Sequence, residues 1–176
     1  MQSLPGDMLR EWHDFYVLVG TASATLVGLM FVSASIGANF YNESHSGAMK
    51  AFVTPTVVSF SSALVVCVLV TIPSHSWASL GGLLGVGALL GLIYSGRILV
   101  ALLVSRRFAV DLSDSLFYAL VPVAAYAALA AAAVLLYMQS SSGPNVVAAV
   151  LLVMLLAGIR NAWDMTLWIM LNTPTK

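Results

Sequence analysis

The stretch SLFYALVPVAAYAALAAAAVLLYMQSSSGPNVVAAVLLVMLLAGI, residues 115–159, contains no Asp, Glu, Lys, Arg or His. A soluble helix pair of this length would carry a charged face. Here two apolar runs flank one polar break, QSSSGPN, made of turn-forming residues. Apolar runs of about 18 residues or more are the pattern of bilayer spans. The rest of the chain repeats it. No Asp, Glu, Lys, Arg or His occurs from Phe15 to Asn42, and from Ala51 to Gly96 the titratable groups are His75, Cys67 and Tyr94. Charged residues make up 8% of the 176 and hydrophobic ones 60%, too few charges to cover a water-soluble surface.

The pattern predicts an all-α bundle of five transmembrane helices in a single membrane domain, 1–176, with spans at about 15–40, 49–72, 77–104, 115–137 and 146–171. At 1.5 Å per residue each is long enough for a hydrocarbon core about 30 Å thick. The breaks YNESHSGA, IPSHS, SRRFAVDLSD and QSSSGPN are rich in turn and capping residues. Pro55 falls in a first helical turn, where its missing N–H costs little. Pro122 lies deeper in the fourth helix and is expected to kink it. Trp12, Phe15, Tyr16, Phe40, Tyr41, Trp77, Phe117, Tyr118 and Tyr137 sit near span ends, the preferred level of aromatic belts. The opening MQSLPGDMLREWHDFY reads as a short interfacial helix that seats the first span. Ala22-Ser23-Ala24 resembles a signal-peptide cleavage site but lies in mid-span after an acidic tail, so it is not read as one.

An odd number of spans puts the two ends of the chain on opposite sides. Arg10 stands on one side, against Lys50, Arg106, Arg107 and Lys176 on the other. The positive-inside rule then places the N-terminus outside and the C-terminus in the cytoplasm.

Two features concern helix contacts. Gly20, Ala24 and Gly28 form a small-residue ridge at successive i+4 positions, flanked by Thr21 and Thr25. Such ridges let helices approach closely in lipid. The ridge suits either a subunit interface or packing within the chain, with the second slightly preferred. The run GGLLGVGALLG in the third span has the look of a phosphate loop. It lacks Gly-Lys-Ser/Thr and continues through an apolar span, so close helix packing is its reading.

The stretch WHDFYVLVGTASATLVGLMFVSASIG, residues 12–37, resembles the first span of a loose group of small bacterial polytopic membrane proteins, some labelled "modulator of FtsH protease". The likeness rests on an early Trp with an aromatic pair, the small-residue ridge and GLMFV ending in Ser, and it covers one span of five. It implies a multi-pass protein of the bacterial inner membrane and transfers no catalytic residue.

The last span carries AGIRNAWDMTLWIM, residues 157–170. Ala157, Arg160, Asn161, Asp164 and Trp168 fall on one stripe, and Arg160 lies about 21 Å beyond residue 146. A charge at the bilayer centre costs about 2.5–3.5 kcal/mol on insertion scales. The i,i+4 spacing lets Arg160 and Asp164 pair, and the stripe is expected to face protein or water. Arg97 of the third span falls at a depth similar to Asp164, so Arg97, Tyr94, Ser95 and Asn161 are candidate members of one polar cluster. The cluster either locks the third helix to the fifth or lines a hydrated path.

Enzyme chemistry finds no support. His13, His45 and His75 sit at span ends or in loops, with no metal-binding i,i+4 pair. His13, Asp14 and His75 share one membrane face and read as solvated side chains. Asp164 is the lone deep carboxylate, whereas a two-aspartate protease needs a partner. Thr54, Thr56, Ser59, Ser61 and Ser62 lack a buried base and read as interhelical hydrogen bonding or cavity lining. Single Cys67 reads as a packed apolar residue. No cofactor, no metal and no nucleic acid is implied. The first functional expectation is therefore a small oligomeric channel or permeation-type protein with an Arg/Asp cluster. The other is a non-catalytic regulatory or scaffold subunit of a larger membrane complex, such as a membrane protease. The expected partners are the lipid bilayer, further copies of the chain and a membrane protein.

Overall fold

In the computed structural model the described residues are 11–37, 46–104 and 116–172, with side chains described at 11–35, 54–101, 103, 118–164 and 166–167. They form five long helices: α1 (His13–Gly37), α2 (Ser46–Thr71), α3 (Trp77–Val104), α4 (Val121–Tyr137, preceded by a π turn at Leu116–Leu120) and α5 (Gly143–Asn172). No strand occurs among the described residues. Each helix contains a segment long and apolar enough to cross a membrane. The apolar surface is inside out for a soluble protein: Leu18, Leu29, Val86, Leu103 and Leu156 all lie exposed on helix flanks. Surfaces of that kind, extended round a bundle, belong in lipid. The protein is an all-α, multi-pass membrane protein.

The helices run alternately up and down. The short turns at 72–76 and 138–142 share one end, called here the turn end, where α1, α3 and α5 begin. Tyr16 ties that end together, its hydroxyl donating to the Pro144 carbonyl at 3.1 Å. At the α2–α3 turn, the Ser76 hydroxyl accepts from the Ser79 N–H at 3.1 Å and caps α3. After α4, Ser140 and Gln139 donate their N–H groups to the Leu135 and Leu136 carbonyls, both at 2.9 Å. Gln139 takes the left-handed conformation (φ 59°) that this helix-ending pattern requires.

Packing follows side-chain size. The most extensive contact is α3 on α4, where glycines meet alanines. A Cβ at Gly81 would lie 2.8 Å from the Ala133 carbonyl oxygen, and one at Gly91 would strike the Tyr126 ring. Other α3 glycines, Gly82, Gly87 and Gly96, have open space where a Cβ would go. Close packing thus explains only part of the glycine run. α1 packs on α2, and α5 lies against α4 and α2. By contrast, α2 and α3 touch only slightly although a short turn joins them. Cys67 is buried against Gly20, as a small apolar residue would be.

The second helix begins at Ser46, not Met49, so Pro55 is its tenth residue and stands inside the helix, not in a first turn as expected. Two further prolines shape the starts of the fourth and fifth helices. The fourth helix changes character before Pro122, which stands in the first turn of the regular α segment after the π turn. Proline cannot donate to the carbonyl four residues back and its ring crowds that carbonyl. A π turn at Leu116–Leu120 relieves both problems, so Pro122 starts α4 and does not sit deep within it. The fifth helix begins at Gly143, not Val146, because Pro144 suits a first helical turn. Most of the opening segment, residues 38–45 and the loop with Arg106 and Arg107 lie outside the described residues. So does His45, and so do Arg10 and Lys176, which carry part of the orientation argument.

Candidate functional site

The polar stripe of α5 is a short ion pair followed by a buried amide. Arg160 Nε stands 3.7 Å from Asp164 Oδ2, one helical turn on, and both side chains are about one-third exposed (36% and 34%). Asn161, between them in sequence, is buried, and its Oδ1 has no hydrogen-bond partner. Tyr118 reaches the same level from the π turn and donates its hydroxyl to the Asn161 main-chain carbonyl at 3.0 Å. Trp163 beside them is exposed, Ala157 is partly buried, and the Trp168 side chain lies outside the described residues.

The depth of this stripe differs from the sequence expectation. With α5 starting at Gly143, Arg160 lies about 25 Å and Asp164 about 31 Å from the turn end at 1.5 Å per residue. A core about 30 Å thick beginning there ends near Asp164. Measured from that end, the pair falls in the last third of such a thickness, beside exposed Trp163.

The wider cluster does not assemble. Arg97 lies about 30 Å from the start of α3, a depth matching Asp164. Its helix is nonetheless packed on α4, and α3 and α5 are not substantial neighbours. Arg97 is exposed and makes no ion pair among the described residues. Tyr94 faces a separate cavity walled by α2, α3 and α4, to which α5 contributes nothing. The buried Ser95 hydroxyl returns to its own helix, donating to the Gly91 carbonyl at 2.7 Å. The physical reason is the glycine–alanine match, which seats α3 on α4 and away from α5.

That cavity measures about 420 Å³ and is lined almost wholly by hydrocarbon. Its polar groups are few. The Ser62 and Tyr126 hydroxyls hydrogen-bond each other at 2.7 Å, and Ser61 joins them on the wall. Thr56 and Ser59 are buried in α2, whereas Thr54 is exposed. Of the α2 hydroxyls, Ser62 thus makes an interhelical bond and Ser61 lines the cavity.

The ridge on α1 is split. Gly20 is buried, with a Cβ there 3.1 Å from Cys67 Cβ. Ala24 is exposed, and a Cβ at Gly28 would meet nothing within 4 Å. Packing within the chain therefore accounts for Gly20 and leaves Ala24 and Gly28 outward, with Thr21 and Thr25 on that side. The two threonines satisfy their hydroxyls on their own helix, at the Val17 and Thr21 carbonyls. Helical periodicity alone could not show that the buried stripe runs through Tyr16, Val19, Gly20 and Ser23 and misses the other two.

Among the described residues no three His, Cys, Asp or Glu gather where a metal ion could be held. His13 pairs with adjacent Asp14 at 3.4 Å, and His75 Nδ1 lies 3.4 Å from the Ser79 hydroxyl. Sequence reasoning missed the Tyr118 link and the Ser62–Tyr126 link. Both depend on which helices become neighbours, although two tyrosines inside apolar runs each needed a hydroxyl partner. The chain matches no protein-family model, no curated protein and no solved structure in the comparisons made.

Proposed function

We propose that the protein is a non-catalytic subunit that works by lateral association within the bilayer, with further copies of itself or with a membrane-protein partner. The observation that supports this is the apolar interior of the bundle. The central side chains are Tyr16, Leu84, Leu129, Leu151 and their apolar neighbours, and the cavity beside them is hydrocarbon-lined. Among the described residues the bundle interior carries no ionised side chain that would line a hydrated route. Its ionic pair, Arg160 and Asp164 on α5, is on a flank, as are Thr21 and Thr25 on α1, while the buried polar groups are uncharged. The bacterial inner membrane, with the N-terminus outside and the C-terminus cytoplasmic, is the proposed setting.

The half-exposed ion pair favours a second reading, an oligomeric channel or permeation-type protein. Its path would run between copies, bordered by Arg160 and Asp164 of α5, with Arg97 of α3 at the same depth. One experiment separates the two. Purified protein is reconstituted in phospholipid vesicles, and ion and anion fluxes are measured beside a chemical cross-linking assay. The subunit reading expects cross-linked assemblies without flux. A flux above that of empty vesicles, altered in selectivity or abolished by Asp164→Asn while assembly persists, would overturn it in favour of the channel.

A further inference from the structure

We infer that the groove between α2 and α3 is a binding site for one acyl chain of a bilayer phospholipid, held as a fixed component of the fold. The two helices leave the turn at 72–76 and hardly touch below it, and α4 closes the back of the gap with Tyr126 and Leu129. The front is open to the side. Val65 on one rim and Leu83 and Leu90 on the other are exposed. Gly87 stands between the last two with open space where a side chain would go. An opening on the flank of a membrane helix bundle faces lipid.

The shape selects the occupant. Along α2 the lining runs from Val57 to Leu69, about 18 Å at 1.5 Å per residue, and along α3 from Leu83 to Tyr94, about 17 Å. The groove is thus long, parallel to the helices, and slightly longer than one leaflet of a core about 30 Å thick. It starts near the turn end, so the chain belongs to a lipid of the leaflet on that side. A volume of about 420 Å³ lies in the range of ordinary ligand sites.

Chemistry selects it too. The Ser62 and Tyr126 hydroxyls satisfy each other at 2.7 Å. The wall therefore makes little polar demand on a ligand at mid-depth, and a ligand bearing a polar group there would have to break that bond. Saturated hydrocarbon fits without competition. Its consequence for the fold is direct: the chain supplies the contact that α2 and α3 do not make with each other.

The test uses the full-length protein in phosphatidylcholine vesicles containing a trace of phosphatidylcholine with a diazirine on one acyl chain. After illumination, labelled positions are mapped by peptide mass spectrometry. Labelling should concentrate on groove positions such as Val65, Leu83 and Leu90, and saturate at one lipid per chain. It should exceed several-fold the labelling of Leu18 and Leu29, which face bulk lipid on α1. Gly87→Leu, at a position where a Cβ meets nothing within 4 Å, puts a side chain on one rim of the groove and should remove the excess while leaving α1 labelling unchanged. Val65→Phe on the opposite rim gives the same reading should the first variant not fold. Groove labelling no higher than on α1, or unaltered by whichever variant folds, overturns the assignment.

Discussion

The Tyr118 hydroxyl and the Asn161 carbonyl lie 3.0 Å apart, a side chain at the start of the fourth span bonded to the backbone of the fifth. The bond crosses between helices one step from the Arg160–Asp164 pair. Tyr118 is 8% exposed, so water does not compete effectively for it. Replacing the hydroxyl by hydrogen in Tyr118→Phe keeps the ring packing and removes the bond. The expected loss is about 1 kcal/mol, the usual net value of such a bond. Thermal unfolding in detergent micelles measures it, and an unchanged midpoint would mean that the bond contributes nothing.

A larger effect is expected where α2 meets α5. A Cβ at Gly158 would lie 2.5 Å from Phe60 Cε1 and 2.9 Å from Cζ, and Phe60 is fully buried. The ring must shift within the core to make room. Gly158→Val should cost about 1–3 kcal/mol, the range for overpacked cores. Combining it with Phe60→Leu should recover part of that loss, giving a coupling of about 0.5–3 kcal/mol in a double-mutant cycle. Strict additivity would show that the two residues do not meet in the folded protein.

These two contacts also mark what the sequence could and could not reveal. Five helices followed from uncharged apolar runs, because length and hydrocarbon content alone decide what enters a bilayer. Ser62, Thr56 and Cys67 were legible as packing groups because none had a partner able to make it reactive. Neighbourhood was not legible. Matching depth made Arg97 a candidate partner of Asp164, but depth says nothing about azimuth, and the fit of α3 glycines to α4 alanines decided otherwise. Proline chemistry moved the start of α5 to Gly143, which adds three residues of helix ahead of the charged pair. In the same way, the ridge of Gly20, Ala24 and Gly28 was visible as a pattern, while its division into one buried and two outward positions required the neighbouring helix.

The ion pair should behave asymmetrically on truncation. Arg160→Ala leaves a carboxylate near the apolar slab without the cation one turn away, and a lone Asp at the membrane centre costs about 2.5–3.5 kcal/mol on insertion scales. Near the slab edge the cost is smaller, so yield should fall without being abolished. The double variant Arg160→Leu with Asp164→Leu removes both charges and should insert better than Arg160→Ala, because neither partner is left uncompensated. Membrane-integrated protein, quantified after alkaline extraction, reads this order. A double variant that inserts worse than the single one would show that the pair itself drives insertion.

Gly20 and Gly28 offer the sharpest contrast between fold and assembly, since they lie two turns apart on one helix. Gly20→Leu drives a side chain toward Cys67 Cβ, which a bare Cβ would already approach to 3.1 Å. It should destabilise the monomer by about 1–3 kcal/mol. A Cβ at Gly28 meets nothing within 4 Å among the described residues, and leucine is the better helix former, so with Gly28→Leu the monomer should be as stable as before or slightly more. If copies associate along the outward Ala24–Gly28 edge, the same leucine wedges them apart, because close backbone approach is what small residues provide in lipid. Light scattering in mild detergent, paired with thermal unfolding, separates the outcomes. Association through this edge requires Gly28→Leu to shift the protein to monomer at unchanged unfolding temperature. An assembly that survives Gly28→Leu intact would place the contact elsewhere, on the α5 flank that carries Arg160 and Asp164.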